Sequence, residues 1–219
     1  HPLDLYILFD REGDTANNAA KKAFATVGTR ISSKYAAGKG MLGYTAELPY
    51  QFGDHGTRAA ASSADVKIEA YAFAAKLGYT FPGAAEIRLG GEFNFGSGDD
   101  NASDAVSKTF NNLYPTNHPF YGFMDYQSWR NMMAWNANVS GNLLQKKIFL
   151  LAGFWNFKLA DERDAWYDAA GNAAGFRAAS AANRETSVGN EIDLLARYEY
   201  NTQVLFEAGW SYFMMDAFI

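Results

Sequence analysis

The 219-residue chain contains no cysteine, which excludes a disulfide framework, a thiolate zinc site and a cysteine nucleophile. Its three histidines, His1, His55 and His118, fall outside any HExxH-like spacing and read as loop residues, so an imidazole metal centre is not expected. No GxSxG elbow is present for Ser/His/Asp chemistry. Gly96-Ser97-Gly98 is not followed by the GK[ST] of a phosphate loop. The reading is therefore of a protein that is not an enzyme and needs no cofactor. Long apolar runs are also missing: no stretch approaches the ~20 residues of a membrane-spanning helix. The opening His1-Pro2-Leu3-Asp4 has neither the basic nor the apolar region of a secretion signal. Positive charge is in deficit too, with 19 basic against 24 acidic residues and a net charge of −5. That balance argues against nucleic acid as a partner.

What the chain has in quantity is aromatic residues, 16% of the total, and alternation. From Glu86 to Phe95, Ile87, Leu89, Gly91, Phe93 and Phe95 alternate with Glu86, Arg88, Gly90, Glu92 and Asn94. Met133 to Leu143 and Glu191 to Tyr200 show the same beat, and a helix would scramble both faces. Weaker versions cover Leu3–Asp10, Thr26–Lys34, Leu42–Phe52, Lys67–Phe81, Lys147–Leu159 and Val204–Tyr212. About nine strands result, each of roughly 9–15 residues, the length of tilted bilayer-spanning strands rather than of the shorter globular ones. Pro49 lies inside one of them and lacks a ladder donor, so a bulge or local break is expected there.

The connections alternate in length. Short links at residues 37–40, 82–83, 144–146 and 201–202 separate long polar segments at about 12–23, 53–65, 97–130 and 161–189. Tight turns at one end and long loops at the other are the asymmetry of a transmembrane β-barrel. The aromatics fit that placement, with Tyr79, Phe81, Phe93, Phe95, Trp155, Phe157, Tyr198, Tyr200, Trp210 and Tyr212 toward strand ends on the apolar face. Ala75, Leu77, Leu89, Ala137, Val139, Leu151, Ala196 and Ala208 fill the middles. The expected fold is an all-β, antiparallel transmembrane barrel segment over residues 1–219, without a second domain. An odd strand count does not close a bacterial barrel, so the segment reads as truncated at both ends, the later part of a larger barrel.

Three stretches carry a family resemblance: GSGDDN at 96–101 leading to TFNNLYPTNHPFYGFMD at 109–125, FWNFKLADERDAWYDAAG at 154–171, and VGNEIDLLARYEYNTQVLFEAGWSYF at 188–213. With LDLYILFDRE at 3–12 they resemble the alginate-export type of outer-membrane β-barrel. The resemblance implies a single-chain barrel of about eighteen strands that passes a uronate polymer or other polar or anionic solutes across the bacterial outer membrane. It also implies contact with outer-membrane lipid, and a periplasmic partner is compatible with it. In the alginate exporter, arginines line the constriction. The basic candidates for that role here are Arg30, Lys34, Lys67, Lys76, Arg88, Lys158 and Arg197. Acidic candidates for the same lining are Glu47, Glu69, Glu86, Glu92, Glu191, Asp193, Glu199 and Glu207, with Asp4 and Asp10 on the same face. The lining is thus mixed in sign.

Each cluster has a structural and a functional reading. The charges select solutes by field, or they pair across strands, as Lys76 would with the strand of Glu92. Tyr114, Phe120, Tyr121 and Trp129 belong to a loop that either folds into the pore as a constriction and sugar-stacking surface or packs on itself outside. Asp99, Asp100 and Asp104 are a weak calcium candidate, without EF-hand spacing. Asp161, Arg163, Asp164 and Asp168, near Trp166 and Tyr167, read as a structural salt-bridge cluster at a loop base rather than a ligand site. A passive channel is the leading function. A sleeve barrel enclosing a partner protein and a soluble carbohydrate-binding sandwich are the alternatives.

Overall fold

The computed structural model describes residues 2–11, 22–56, 66–114, 118, 120–173 and 176–216. They form one sheet without helices. Its strands are β1 (Leu3–Arg11), β2 (Ala23–Ala37), β3 (Gly40–Gly56), β4 (Val66–Thr80), β5 (Arg88–Gly96), β6 (Val106–Ser107), β7 (Met132–Leu143), β8 (Ile148–Lys158), β9 (Ser187–Glu199) and β10 (Leu205–Met215). Nine are long and pair in chain order, each antiparallel to the next. The two-residue β6 joins the start of β4 in parallel. Among the described residues β1 and β10 are edges.

The expected beat of short and long connections is present. Gly38, at φ 60, turns the chain between β2 and β3. The turn from β7 to β8 puts Leu144, Gln145 and Lys146 at φ 48, 57 and 73, a left-handed run that costs L-residues roughly 1–2 kcal/mol each. Lys147 N–H closes it on the Leu144 carbonyl at 3.1 Å, and the Lys146 ammonium is 2.6 Å from Glu86.

Register separates the two faces. One cross-strand row runs Lys76, Glu92, Asn136, Trp155, Glu191 and Phe213, and the adjoining row runs Leu77, Gly91, Ala137, Phe154, Ile192 and Tyr212. The second row belongs to an uncovered apolar face, where Leu5, Leu77, Leu89, Trp135 and Trp210 are all more than half exposed. No second sheet packs on it among the described residues. The core lies on the opposite, polar face, where the long connections fold back. Met132, Ala134, Phe157 and Val188 of the sheet meet Tyr121, Leu159 and Trp166 of the loops. Phe24, Ile68, Ala70 and Ala72 meet Phe110. Each large side chain sequestered there contributes about 1.5–3 kcal/mol.

Several expectations change. Of the two outcomes expected at Pro49, the local break is present and the bulge is not: Glu47 opposes Ala74 and Tyr50 opposes Tyr71 in one register, with pairing to β4 interrupted between them. The register shift comes later, between Asp54 and Gly56. His55 lies in β3 and not in a loop, His118 is in the long loop, and His1 lies outside the described residues. Trp155 and Phe157 lie on the polar face, stacked at 5.6 Å beneath the loops and not in an apolar girdle. Leu151, opposite Ser140 and Leu195, is on that face as well.

Candidate solute path

Strand periodicity delivers most of the expected charges to the loop-covered face. Arg30, Lys34, Glu47, Lys76, Arg88, Glu92, Glu191, Asp193, Arg197 and Glu207 share it, with Glu199 at the end of β9. Three residues do not. Lys67 and Glu69 are an odd number of positions from Lys76, so they lie on the opposite face with Tyr71. Lys67 pairs there with Asp54. Lys158 opposes Met133, which opposes Phe95, and therefore belongs to the apolar side at its loop end. Glu86 sits in the turn before β5, bound to Lys146.

Cross-strand pairing occupies much of the lining. Lys76 is 2.9 Å from Glu92, Arg30 is 3.4 Å from Asp4 and 4.0 Å from Glu47, and Arg197 pairs with Glu207. The Tyr6 hydroxyl donates to Glu47 at 2.7 Å while its ring covers Gly28, where a Cβ would lie 2.2 Å from the ring. Arg88 differs. It donates to Asn138 at 3.1 Å and has no carboxylate partner among the described residues. Its guanidinium lies across Gly78 and Gly90, within 2.1 and 2.4 Å of where their Cβ atoms would be. Arg30, Lys34, Lys76 and Arg88 border one cleft of about 610 Å³ whose lining contains no acidic residue.

The loop between β5 and β7 is held onto this face by buried polar groups. Gln51, fully buried, donates to the Asn111 carbonyl at 2.8 Å and accepts from the Asn111 N–H at 2.7 Å. Buried Glu191 accepts the Met124 N–H at 3.0 Å, and Trp129 donates to the Phe95 carbonyl at 2.8 Å. Asp193 beside it accepts from Ser211 at 2.7 Å. Tyr121 is buried against the sheet, and that burial, with the charges of Glu47 and Glu92 nearby, pushes its hydroxyl pKa up. Phe120 carries the Lys76 ammonium 4.8 Å over its ring, and Tyr114 is 86% exposed. The aromatic quartet thus divides: Tyr121 and Trp129 anchor, while Tyr114 and Phe120 present their rings to a second cleft of about 530 Å³. The loop also packs on itself, with ring pairs Phe110–Trp129 at 5.3 Å, Phe120–Tyr121 at 6.3 Å and Tyr121–Trp129 at 6.4 Å, so it is self-packed and held on the polar face at once.

The two long loops are joined by Asp164. Its carboxylate accepts from Thr109, Tyr167, Asp99 N–H and Ala165 N–H at 2.6–3.0 Å. Burial nevertheless holds its pKa above the usual carboxylate range. Asn131, also buried, bridges to Asp161 and Ala165, so hydrogen bonds hold this loop base, and no ion pair joins Asp161, Arg163, Asp164 and Asp168 to one another among the described residues. The calcium candidate dissolves: Asp99 and Asp104 accept backbone N–H groups within their own turn, and Asp100 is 2.5 Å from Lys108, which lowers its pKa. No group of three metal-ligating side chains occurs among the described residues. Sequence patterning missed Asn94 and Gln51, buried amides on the polar face. Their only signal was an amide in the register of charged neighbours.

A family model described as alginate export matches residues 3–219. No curated protein matches the chain. The matched span takes in all ten strands and both long loops on the polar face. The chain therefore belongs to the alginate export family, whose membrane-embedded β-barrel accords with its single antiparallel sheet.

Proposed function

We propose that the chain forms wall and constriction of a passive outer-membrane channel for polar or anionic solutes. The apolar face meets hydrocarbon, the loop-covered face borders the water-filled lumen, and β1 and β10 continue into further strands of the complete barrel. Unpaired backbone groups at those edges would cost several kcal/mol each in lipid. The observation that carries the reading is the pairing of one uncovered apolar face with an opposite face whose cleft is bordered by Arg30, Lys34, Lys76 and Arg88, of which Lys34 and Arg88 have no carboxylate partner among the described residues and leave the cleft with surplus positive charge. A cleft lined by one sign of charge raises the local concentration of counter-charged solute. A soluble sandwich is disfavoured because it needs a second sheet over Leu89 and Val139, which are 51% and 41% exposed.

Planar-bilayer recording on the full-length barrel tests this. Steady ohmic current is expected, with anions more permeant than in an Arg88→Glu variant. Arg197→Glu should act less, because Glu207 already neutralises Arg197. Absence of current from correctly inserted barrels would favour a sleeve filled by a partner protein.

A further inference from the structure

The cleft beneath the long loop shares Arg30 and Lys76 with the cleft beside it, but it lacks Lys34 and Arg88 and has Glu47 in its lining. Its cations are each within reach of a carboxylate: Lys76 with Glu92 at 2.9 Å, and Arg30 with Glu47 and Asp4 at 4.0 and 3.4 Å. Phe120 and Tyr114 expose aromatic rings to it, 43% and 86% open. Asn94, only 1% exposed, lines the same cleft with a side-chain nitrogen that has no hydrogen-bond partner. A buried amide donor left unmade costs roughly 1–3 kcal/mol, so a ligand that supplies an acceptor there gains by it.

From this geometry we infer that the cleft is a subsite for a neutral saccharide. A pyranose offers an apolar face for an aromatic ring and a rim of hydroxyls, each both donor and acceptor. Hydroxyls bridge guanidinium, ammonium and carboxylate groups without changing the balance of charge. A uronate carboxylate would instead meet Glu47 in the same wall and would have to draw Arg30 and Lys76 away from Asp4, Glu47 and Glu92. Buried donors and acceptors that fit hydroxyls discriminate strongly against groups that do not. The cleft therefore favours uncharged sugar units, while the stretch with Lys34 and Arg88 handles anions. The inference rests on the channel reading for the sugar's route, and not for its binding.

The test is isothermal titration of the full-length barrel in detergent with maltohexaose and with a hexuronate oligomer of equal length, beside bilayer recording of the same preparation. Maltohexaose is expected to bind at least tenfold more tightly than the uronate. Phe120→Ala should weaken it by about tenfold, the loss of one stacking platform, an effect of roughly 1–1.5 kcal/mol. Asn94→Ala should weaken it too, because it removes the unpaired nitrogen that would meet the sugar's acceptor. Equal affinities, tighter uronate binding, no sugar binding at all, or full affinity in both variants would each overturn the proposal. Sugar binding without current would leave the subsite standing and remove the channel, whereas current without sugar binding would do the reverse.

Discussion

At the scale of single residues, Asp164 shows how a buried carboxylate ties two loops together. Four donors converge on it, yet burial raises its pKa. The folded protein therefore binds this proton more tightly than the unfolded chain does. The contribution to stability is complete below the ordinary carboxylate pKa of ~4 and declines as pH rises through the interval up to the folded value. Asp164→Asn removes that titration. Relative to the parent, the variant should gain stability across the interval, read as hydrogen exchange in residues 97–114 and 159–173 at a series of pH values. A pH-independent difference would show that the carboxylate does not titrate there. The other buried amides act without charge: Asn131 satisfies two carbonyls and one N–H at once.

At the scale of elements, the nine long strands were legible because period-2 alternation is strong wherever one face is apolar along the whole strand, as in β5 and β9. It was legible less well near the long loops. There Lys67, Glu69 and Lys158 occupy the outer face, and Trp155 and Phe157 the inner one. Polarity no longer reports the face at that end, because the outer surface has become polar and the inner surface is covered by chain distant in sequence. The position of the loop between β5 and β7 was open for the same reason. It is set by Gln51 and Glu191, whose partners are 60 and 67 residues away. Gln51→Ala strands the Asn111 peptide groups at a cost of roughly 1–3 kcal/mol. Faster exchange at residues 108–114 and a larger, noisier single-channel current should follow. An unaltered current would mean that this loop does not narrow the lumen.

At the scale of the whole molecule, the arrangement is inside-out relative to a soluble domain, with its core between polar wall and infolded loops and its greasy surface uncovered. In a bilayer, Leu89→Arg should cost about 2–4 kcal/mol when the site is near the midplane, measured as the shift in urea unfolding of the full-length barrel in vesicles. A value near zero would place Leu89 outside the hydrocarbon. Arg88, bedded on Gly78 and Gly90, carries a last implication for traffic. Because two missing methyl groups make room for it, its positive charge is inlaid at the level of the backbone and does not jut toward the axis. In the channel we propose, a passing molecule would be drawn sideways along that strip without being obstructed, so attraction and width need not be traded against each other.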